Sequence, residues 1–179
     1  TLLGGGGVAP PRARVLIGDE QPVVPHVFIR GNPFQQGEAV PRRFIEVLSQ
    51  DEGLLQERSG RKELAERIID PGNPLTSRVI VNRIWAEVFG RGLVTTLEDF
   101  GTQGASPSHP ELLDWLSVEL IDSGWNVHHL LRLIVSSSTY RQAAMVMPEA
   151  LRRDPGNKFY SRGPRFRMKA EVLRDTALA

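Results

Sequence analysis

The stretch Asn73–Gly90, NPLTSRVIVNRIWAEVFG, predicts the clearest helix of the chain. Asparagine caps the free backbone N–H groups at a helix start and proline suits the first helical position, so Asn73 and Pro74 predict where the helix begins. Gly90 predicts its end, because glycine readily adopts the left-handed conformation of a helix terminus. The apolar residues between them are too broadly spread for a surface stripe. They predict a central helix, Leu75–Phe89, that other elements nearly surround.

Helical signals continue on both sides of this central helix. Ser108 and Glu111 match a capping box, with Ser108 as the N-cap, and Asn126 is placed to cap the helix after that. In the first of these helices the apolar spacing directs Trp115 inward along with the leucines. The predicted helices are Arg42–Leu48, Arg61–Ile69, Pro110–Ser123, Val127–Ser137, a short one around Pro148–Arg153 and a last one from Arg167.

The N-terminal part has a different pattern. Residues 1–12 are rich in glycine and proline and predict a tail or linker. Two β-prone runs, Arg14–Ile17 and Val23–Arg30, flank a turn-like cluster and predict a small two-stranded ribbon. The fold class is therefore mainly α: one irregular helical domain over residues 13–179 with a small N-terminal β ribbon. Because the last helical pattern reaches Ala179 without a cap, we expect this domain to be truncated at its C-terminus.

Composition excludes several kinds of site. The 179 residues include 22 basic and 21 acidic side chains, for a net charge of +1, and no cysteine. A chain without cysteine has no disulfide, no thiolate metal site and no covalent heme attachment of its own. No apolar run approaches the roughly 20 residues that cross a bilayer, so we expect no membrane span in this segment.

The four histidines do not predict a metal site. His128 and His129 are adjacent on a predicted helix, where neighbouring side chains point roughly 100° apart. They cannot jointly hold one ion in regular geometry. His26 and His109 lie on other predicted elements, and we expect no metal in this segment.

One short region is strongly basic. Residues 152–169, the basic strip, contain seven basic side chains against Asp154 alone, so the strip carries +6 and the rest of the chain −5. Aromatic residues alternate with these charges, a composition typical of phosphate or nucleic-acid binding. A single strip on a nearly neutral protein gains little affinity from counterion release, which argues against nucleic acid. A solvated or internally paired strip is the favoured alternative, and Arg165 and Arg167 are its candidate binding residues.

The central helix carries a second candidate group. Arg78 and Asn82 are four residues apart and share one face, with Trp85 beside them. They could bind an anionic or carbohydrate oxygen. The favoured alternative is a buried network that satisfies carbonyls of the loop 90–107 or a carboxylate such as Asp99. Arg83 and Glu87 form a second pair at the same spacing.

Acid–base catalysis requires two titratable groups in one cleft. Asp99 and His109 form the only such pair that the sequence suggests, in the long loop and at the following helix start. They define the enzyme hypothesis, a carbohydrate-active hydrolase whose substrate Arg78 and Asn82 would orient. Ser136–Ser138 are interpreted as residues of a helix terminus.

A series of ordered motifs carries a family resemblance over residues 23–179. The chain resembles a C-terminal domain of unknown function that is abundant in large planctomycete multidomain proteins. The strongest motifs are Asn73-Pro74-Leu75-Thr76-x-Arg78-Val79-x-Val81-Asn82-Arg83-Ile84-Trp85, Phe89-Gly90-Arg91-Gly92-Leu93-Val94, Asp99-Phe100-Gly101, His109-Pro110-Glu111-Leu112-Leu113-Asp114-Trp115-Leu116, Ser137-x-Thr139-Tyr140-Arg141-Gln142 and Arg165-x-Arg167-x-x-Ala170-Glu171.

The resemblance implies a setting and no established activity. Such domains belong to exported proteins, often with a cytochrome-c-like heme module and sometimes with a carbohydrate-binding module, and sulfatase genes commonly lie nearby. It therefore implies an extracytoplasmic parent protein in which any heme belongs to a companion domain. We expect an accessory or docking domain that contacts its companion domains, including a redox domain, or binds a polysaccharide or another acidic ligand.

Overall fold

Helices dominate the structure, a computed structural model that describes residues 23–49, 54–55, 59–165 and 167–178. Within these ranges the regular elements are seven α-helices, two 3₁₀ turns and one two-stranded sheet, which confirms the mainly-α fold with a small β ribbon. The elements are β1 (His26–Phe28), β2 (Gln36–Ala39), α1 (Arg61–Ile69), α2 (Pro74–Phe89), α3 (Pro110–Asp122), α4 (Val127–Ser136), α5 (Ser138–Arg141), α6 (Pro148–Arg153) and α7 (Ala170–Leu178).

The chain divides into two compact units, with the boundary between Arg67 and Ile68 inside α1. The predicted single domain over residues 13–179 stays a prediction. The predicted tail, residues 1–12, lies outside the described residues.

In the first unit β1 and β2 pair antiparallel, with His26 opposite Ala39. A small ribbon is therefore present, but β1 pairs with Gln36–Ala39, a segment for which the sequence predicted no strand. The other predicted strand, Arg14–Ile17, lies outside the described residues. The chain reverses through a 3₁₀ turn at Ile29–Gly31, where Arg30 adopts a left-handed φ of 53°.

The prediction of a helix over Arg42–Leu48 is wrong about its length. Only Glu46–Leu48 is helical, as a single 3₁₀ turn. Arg43 instead pairs with Leu54 in an isolated β-bridge, which holds the backbone extended where the helix was expected to begin. Phe44 beside it is buried.

The second unit is organised around α2, as predicted. Asn73 Oδ1 accepts a hydrogen bond from Leu75 N at 3.1 Å, and Gly90 ends the helix with φ 73°. α2 packs against α3, and α3 packs against α4. The buried apolar core contains Val81, Trp85, Phe89, Leu93, Val94, Leu113, Leu116, Leu120, Leu130, Ile134 and Tyr160.

The start of α3 differs from the predicted capping box. The helix begins at Pro110 as expected, but its N-cap is His109 and no side chain caps it. Ser108 does not take that role, because its backbone N–H donates to Leu93 O in the preceding loop and its Oγ lies 3.0 Å from His109 Nδ1. Trp115 was predicted to point inward and is instead 54% exposed.

The last helices agree with the sequence more closely. Asn126 Oδ1 accepts from His129 N at 3.0 Å and caps α4, as predicted. Ser137 ends α4 and caps the short helix α5 through Tyr140 N. α7 begins at Ala170, three residues later than expected. None of the helices in the described ranges combines the length and apolarity that a membrane span requires.

Candidate functional site

Arg78 links α2 to α3. Its Nε donates to Asp114 Oδ1 at 2.6 Å, and its Nη1 donates to Pro74 O at 2.8 Å. The carboxylate partner is therefore Asp114 rather than Asp99. The Arg78 side chain is 33% exposed and that of Asp114 54%, so this ion pair lies at the surface and not in the core.

Asn82 is completely buried and anchors the loop that follows α2. Its Nδ2 donates to Val94 O at 2.9 Å, and its Oδ1 accepts from Val94 N at 2.8 Å. A Cβ atom on Gly92 would lie 2.8 Å from Asn82 Oδ1, so the loop can approach the amide this closely only with glycine there. This is the predicted network in which a buried polar side chain satisfies loop carbonyls.

Trp85 belongs to an aromatic cluster inside the second unit. Its ring stacks on Phe89 with centroids 4.2 Å apart and meets Tyr160 edge-on at 5.4 Å. Burial raises the pKa of the Tyr160 hydroxyl, and Trp85 and the Arg91 guanidinium only partly offset that rise. Trp85 is 4% exposed, so neither Trp85 nor Asn82 offers its side chain to a ligand in this structure.

Asp99 and His109 each contact other residues of the second unit. Asp99 Oδ1 accepts from Gly101 N at 2.8 Å and closes a turn in the loop. His109 packs against the rings of Tyr160 and Phe159, and its Nδ1 faces Ser108 Oγ. No hydrogen bond or ion pair joins Asp99 to His109 within the described ranges, and their role as an acid–base pair stays a prediction.

The predicted pair of Arg83 with Glu87 is absent because each has a different partner. Arg83 Nη2 binds Glu98 Oε2 at 2.9 Å. Glu87 binds Lys169 instead, through both carboxylate oxygens. The second of these contacts joins α2 to the end of the basic strip.

Most of the basic strip is paired internally, as the favoured alternative predicted. Arg152 and Arg153 bind Glu149, and Lys169 binds Glu87. Arg162 donates to the carbonyls of Asp154 and Pro155. Lys158 lies 5.8 Å from the centroid of the Phe159 ring. Arg165 and Arg167 are the exceptions. Neither has a hydrogen-bond or ion-pair partner in the part of the chain that the structure describes.

Asp154 organises the start of the strip from a buried position. Its two carboxylate oxygens accept from the backbone N–H groups of Lys158 at 2.7 Å and Phe159 at 2.8 Å. Burial alone would raise the pKa of Asp154. The two N–H donors and the charges of Arg162 and Arg91 outweigh it and hold that pKa below its ordinary value.

An open groove of about 780 Å³ brings Arg165 and Arg167 together. Both side chains are exposed, and none of the lining residues is acidic. The lining comes from α2, from α5 with the residues after it, and from the strip: Val88, Tyr140, Gln142, Ala144, Gly163, Pro164, Arg165, Arg167 and Met168. The sequence named the two arginines but not their neighbours.

One backbone hydrogen bond and one from a side chain hold the two sides of this groove together. Gly163 N donates to Ala143 O at 3.0 Å, and Gln142 Nε2 donates to Tyr160 O at 2.6 Å. A Cβ atom on Gly163 would lie 2.9 Å from Gln142 O, so this close approach requires glycine. Tyr140 and Gln142 were missed as groove residues, although both stand in one of the motifs that carry the family resemblance.

No group of three or more potential metal ligands converges in the described ranges. The arrangement can thus present two unpaired cations, one aromatic ring and an apolar surface to a ligand.

Comparison with known protein families places most of the chain in a family. A family model described as PSD1, protein of unknown function (DUF1553), matches residues 60–179. That region contains α1 to α7 and every residue that lines the groove. No curated protein and no solved structure matched the chain.

Proposed function

The chain belongs to the PSD1 (DUF1553) family of unknown function, and from this premise we propose that the domain is a non-catalytic binding module for an acidic polysaccharide. One observation carries the proposal: Arg165 and Arg167 line an open groove without an acidic residue in its lining and without partners in the described ranges. Unpaired guanidinium groups in a groove favour a ligand that supplies the missing carboxylates or sulfates.

The aromatic part of the groove suits a sugar ring. Tyr140 is 41% exposed, and Phe89 meets its ring edge-on at 5.9 Å, which supports the ring from the protein side. Val88 and Met168 add apolar surface beside it. A pyranose ring has an apolar face that packs on such a surface while its acidic substituent reaches an arginine.

The size of the groove fits a few sugar units, and the charge of the chain argues against nucleic acid. A volume of about 780 Å³ lies within the roughly 300–1,000 Å³ that small-molecule sites occupy. Nucleic acid is disfavoured, because two cations on a chain of net charge +1 release few counterions.

The setting of the module is also part of the proposal. The motif resemblance supports an exported, planctomycete-type multidomain parent in which this domain contacts companion domains, including a redox domain that carries any heme. Fractionation of cells that express the full-length parent, followed by a heme stain, tests this setting. Parent protein confined to the cytoplasm would contradict it.

The binding proposal is tested with purified chain and polygalacturonate, with neutral dextran as the matched uncharged polymer. We expect binding to polygalacturonate that weakens as salt rises, because salt screens the arginine–carboxylate contacts. Arg165→Ala and Arg167→Ala should each reduce affinity by about ten- to hundredfold, since charge-assisted hydrogen bonds contribute about 1.5–3 kcal/mol.

Arg152→Ala is the control for net charge. It removes one positive charge from the same strip, but its side chain pairs with Glu149 and does not line the groove. We expect near-normal affinity for this variant. Equal binding of polygalacturonate and dextran, or equal losses in all three variants, would refute a site in the groove.

A further inference from the structure

The ion pair between Glu87 and Lys169 closes one end of the segment that carries the groove arginines. Lys169 Nζ lies 2.9 Å from Glu87 Oε1 and 2.8 Å from Oε2, so one ammonium contacts both oxygens. Lys169 follows Arg167 by two residues, and Glu87 directly precedes Val88, which lines the groove. Glu87 also raises the pKa of Lys169, first through the hydrogen bond and then through its charge.

The other end of the segment is fixed by backbone contacts. We call residues 163–165 and 167–169 the strap. At its start Gly163 N donates to Ala143 O at 3.0 Å. Between this bond and Lys169, the side chains of Arg165 and Arg167 have no partner in the described ranges. With no partners of their own there, the two side chains are placed at the groove by the strap backbone, which is held at its ends.

We propose that Glu87 is a positioning residue for anion binding: through Lys169 it fixes the strap so that Arg165 and Arg167 face one ligand. This inference rests on the proposed function and deepens it. Its consequence is that an acidic side chain near the groove increases the affinity for an acidic polymer. Holding the strap before binding lowers the ordering cost that the ligand would otherwise meet.

Charge repulsion alone predicts the opposite effect of Glu87 on ligand affinity. A carboxylate close to a bound anion repels it, so removing the charge of Glu87 should strengthen binding if charge alone mattered. Positioning predicts weaker binding after the same change. Glu87→Gln therefore separates the two mechanisms by the direction of a single effect.

The effect on folding stability should be small. The side chains of Lys169 and Glu87 are 66% and 67% exposed, and ion pairs at such sites contribute little to stability. We expect the Tm of Glu87→Gln to stay close to that of the wild-type chain. A change in binding would then report on the strap and not on unfolding.

The experiment measures polygalacturonate affinity at low salt for the wild type, Glu87→Gln and the charge-swapped double variant Glu87→Lys/Lys169→Glu. We expect about a threefold loss for Glu87→Gln and recovery of most of it in the double variant, which restores the pair at unchanged net charge. Glu98→Gln is the matched control. Glu98 pairs with Arg83, which lies on the same helix as Glu87, and it does not contact the strap. It should bind with unchanged or slightly higher affinity.

A ligand-free readout separates this inference from the proposed function. Hydrogen–deuterium exchange of peptides covering the strap should be faster in Glu87→Gln than in the wild type or Glu98→Gln. Unchanged exchange, or affinity that rises in Glu87→Gln, would overturn the positioning role. Absence of polygalacturonate binding by the wild type would instead refute the proposed function, while the exchange result would still decide whether Glu87 holds the strap.

Discussion

Asn82 and Val94 form a closed pair in the core, in which the side-chain amide of Asn82 binds both the N–H and the C=O of Val94 at 2.8 and 2.9 Å. The pair replaces the backbone partner that a neighbouring strand would supply. It fixes the loop after α2 to the helix itself, and neither group has access to water, because Asn82 is fully buried and Val94 is 2% exposed.

Asn82→Ala should reduce the free energy of unfolding by about 2–4 kcal/mol, because it leaves a buried donor and a buried acceptor unsatisfied. Urea denaturation of the wild type and the variant measures this loss. Arg83→Ala is the control on the neighbouring position, where the side chain is 54% exposed, and should change stability by about 0.5 kcal/mol. Equal effects of the two substitutions would contradict the anchoring role of Asn82.

Arg78→Ala should lower folding stability much less than the loss of a buried, paired arginine would. The ion pair with Asp114 is partly exposed, so we expect a coupling energy below about 1 kcal/mol between the two side chains. A double-mutant cycle with Asp114→Ala measures this coupling directly. A coupling of several kcal/mol would mean that the pair is shielded from solvent.

Asp154 should make stability depend on pH in the acidic range. Its pKa is held below the ordinary value in the folded chain, so the folded state binds this proton less readily than the unfolded state does. The contribution is therefore fully present above the unfolded pKa of about 3.9 and is lost as pH falls through the lower, folded pKa.

Denaturant unfolding between pH 2.5 and 7 compares the wild type with Asp154→Asn. The variant should be less stable at neutral pH, and its stability should fall less steeply below pH 4. Parallel pH profiles for the two proteins would show that Asp154 does not carry this dependence.

Tyr140 should contribute to polygalacturonate binding through its ring. Tyr140→Ala is expected to lower affinity about fivefold, equivalent to about 1 kcal/mol, whereas Tyr140→Phe keeps the ring and should bind normally. Titration calorimetry of both variants measures this difference. A similar loss in Tyr140→Phe would assign the contribution to the hydroxyl group instead.

The prediction of helices from sequence succeeded where the signals were local. Asn73 and Gly90 bound α2, and Asn126 caps α4, because each interacts with atoms only a few residues away. The capping role of Ser108 failed for the opposite reason. Its backbone is held by Leu93, fifteen residues earlier, and a local motif contains no information about that partner.

The same difference between local and distant contacts applies to the candidate site. The sequence identified the basic strip and favoured its internal pairing, and it identified Asn82 as a polar residue that needs a partner. It could not tell which of seven basic side chains remain unpaired. For Lys169 that depends on Glu87, which is 82 residues away along the chain.

The sequence by itself determined the mainly-α class, the bounds of the central helix, the absence of cysteine chemistry and the family resemblance. These follow from composition and from interactions within a few turns of chain. Only the tertiary structure decided that Arg165 and Arg167 face a groove beside Tyr140 while Asn82 and Trp85 are enclosed. Burial and partner choice are set by segments distant in sequence, since a side chain is exposed or paired according to what packs against it.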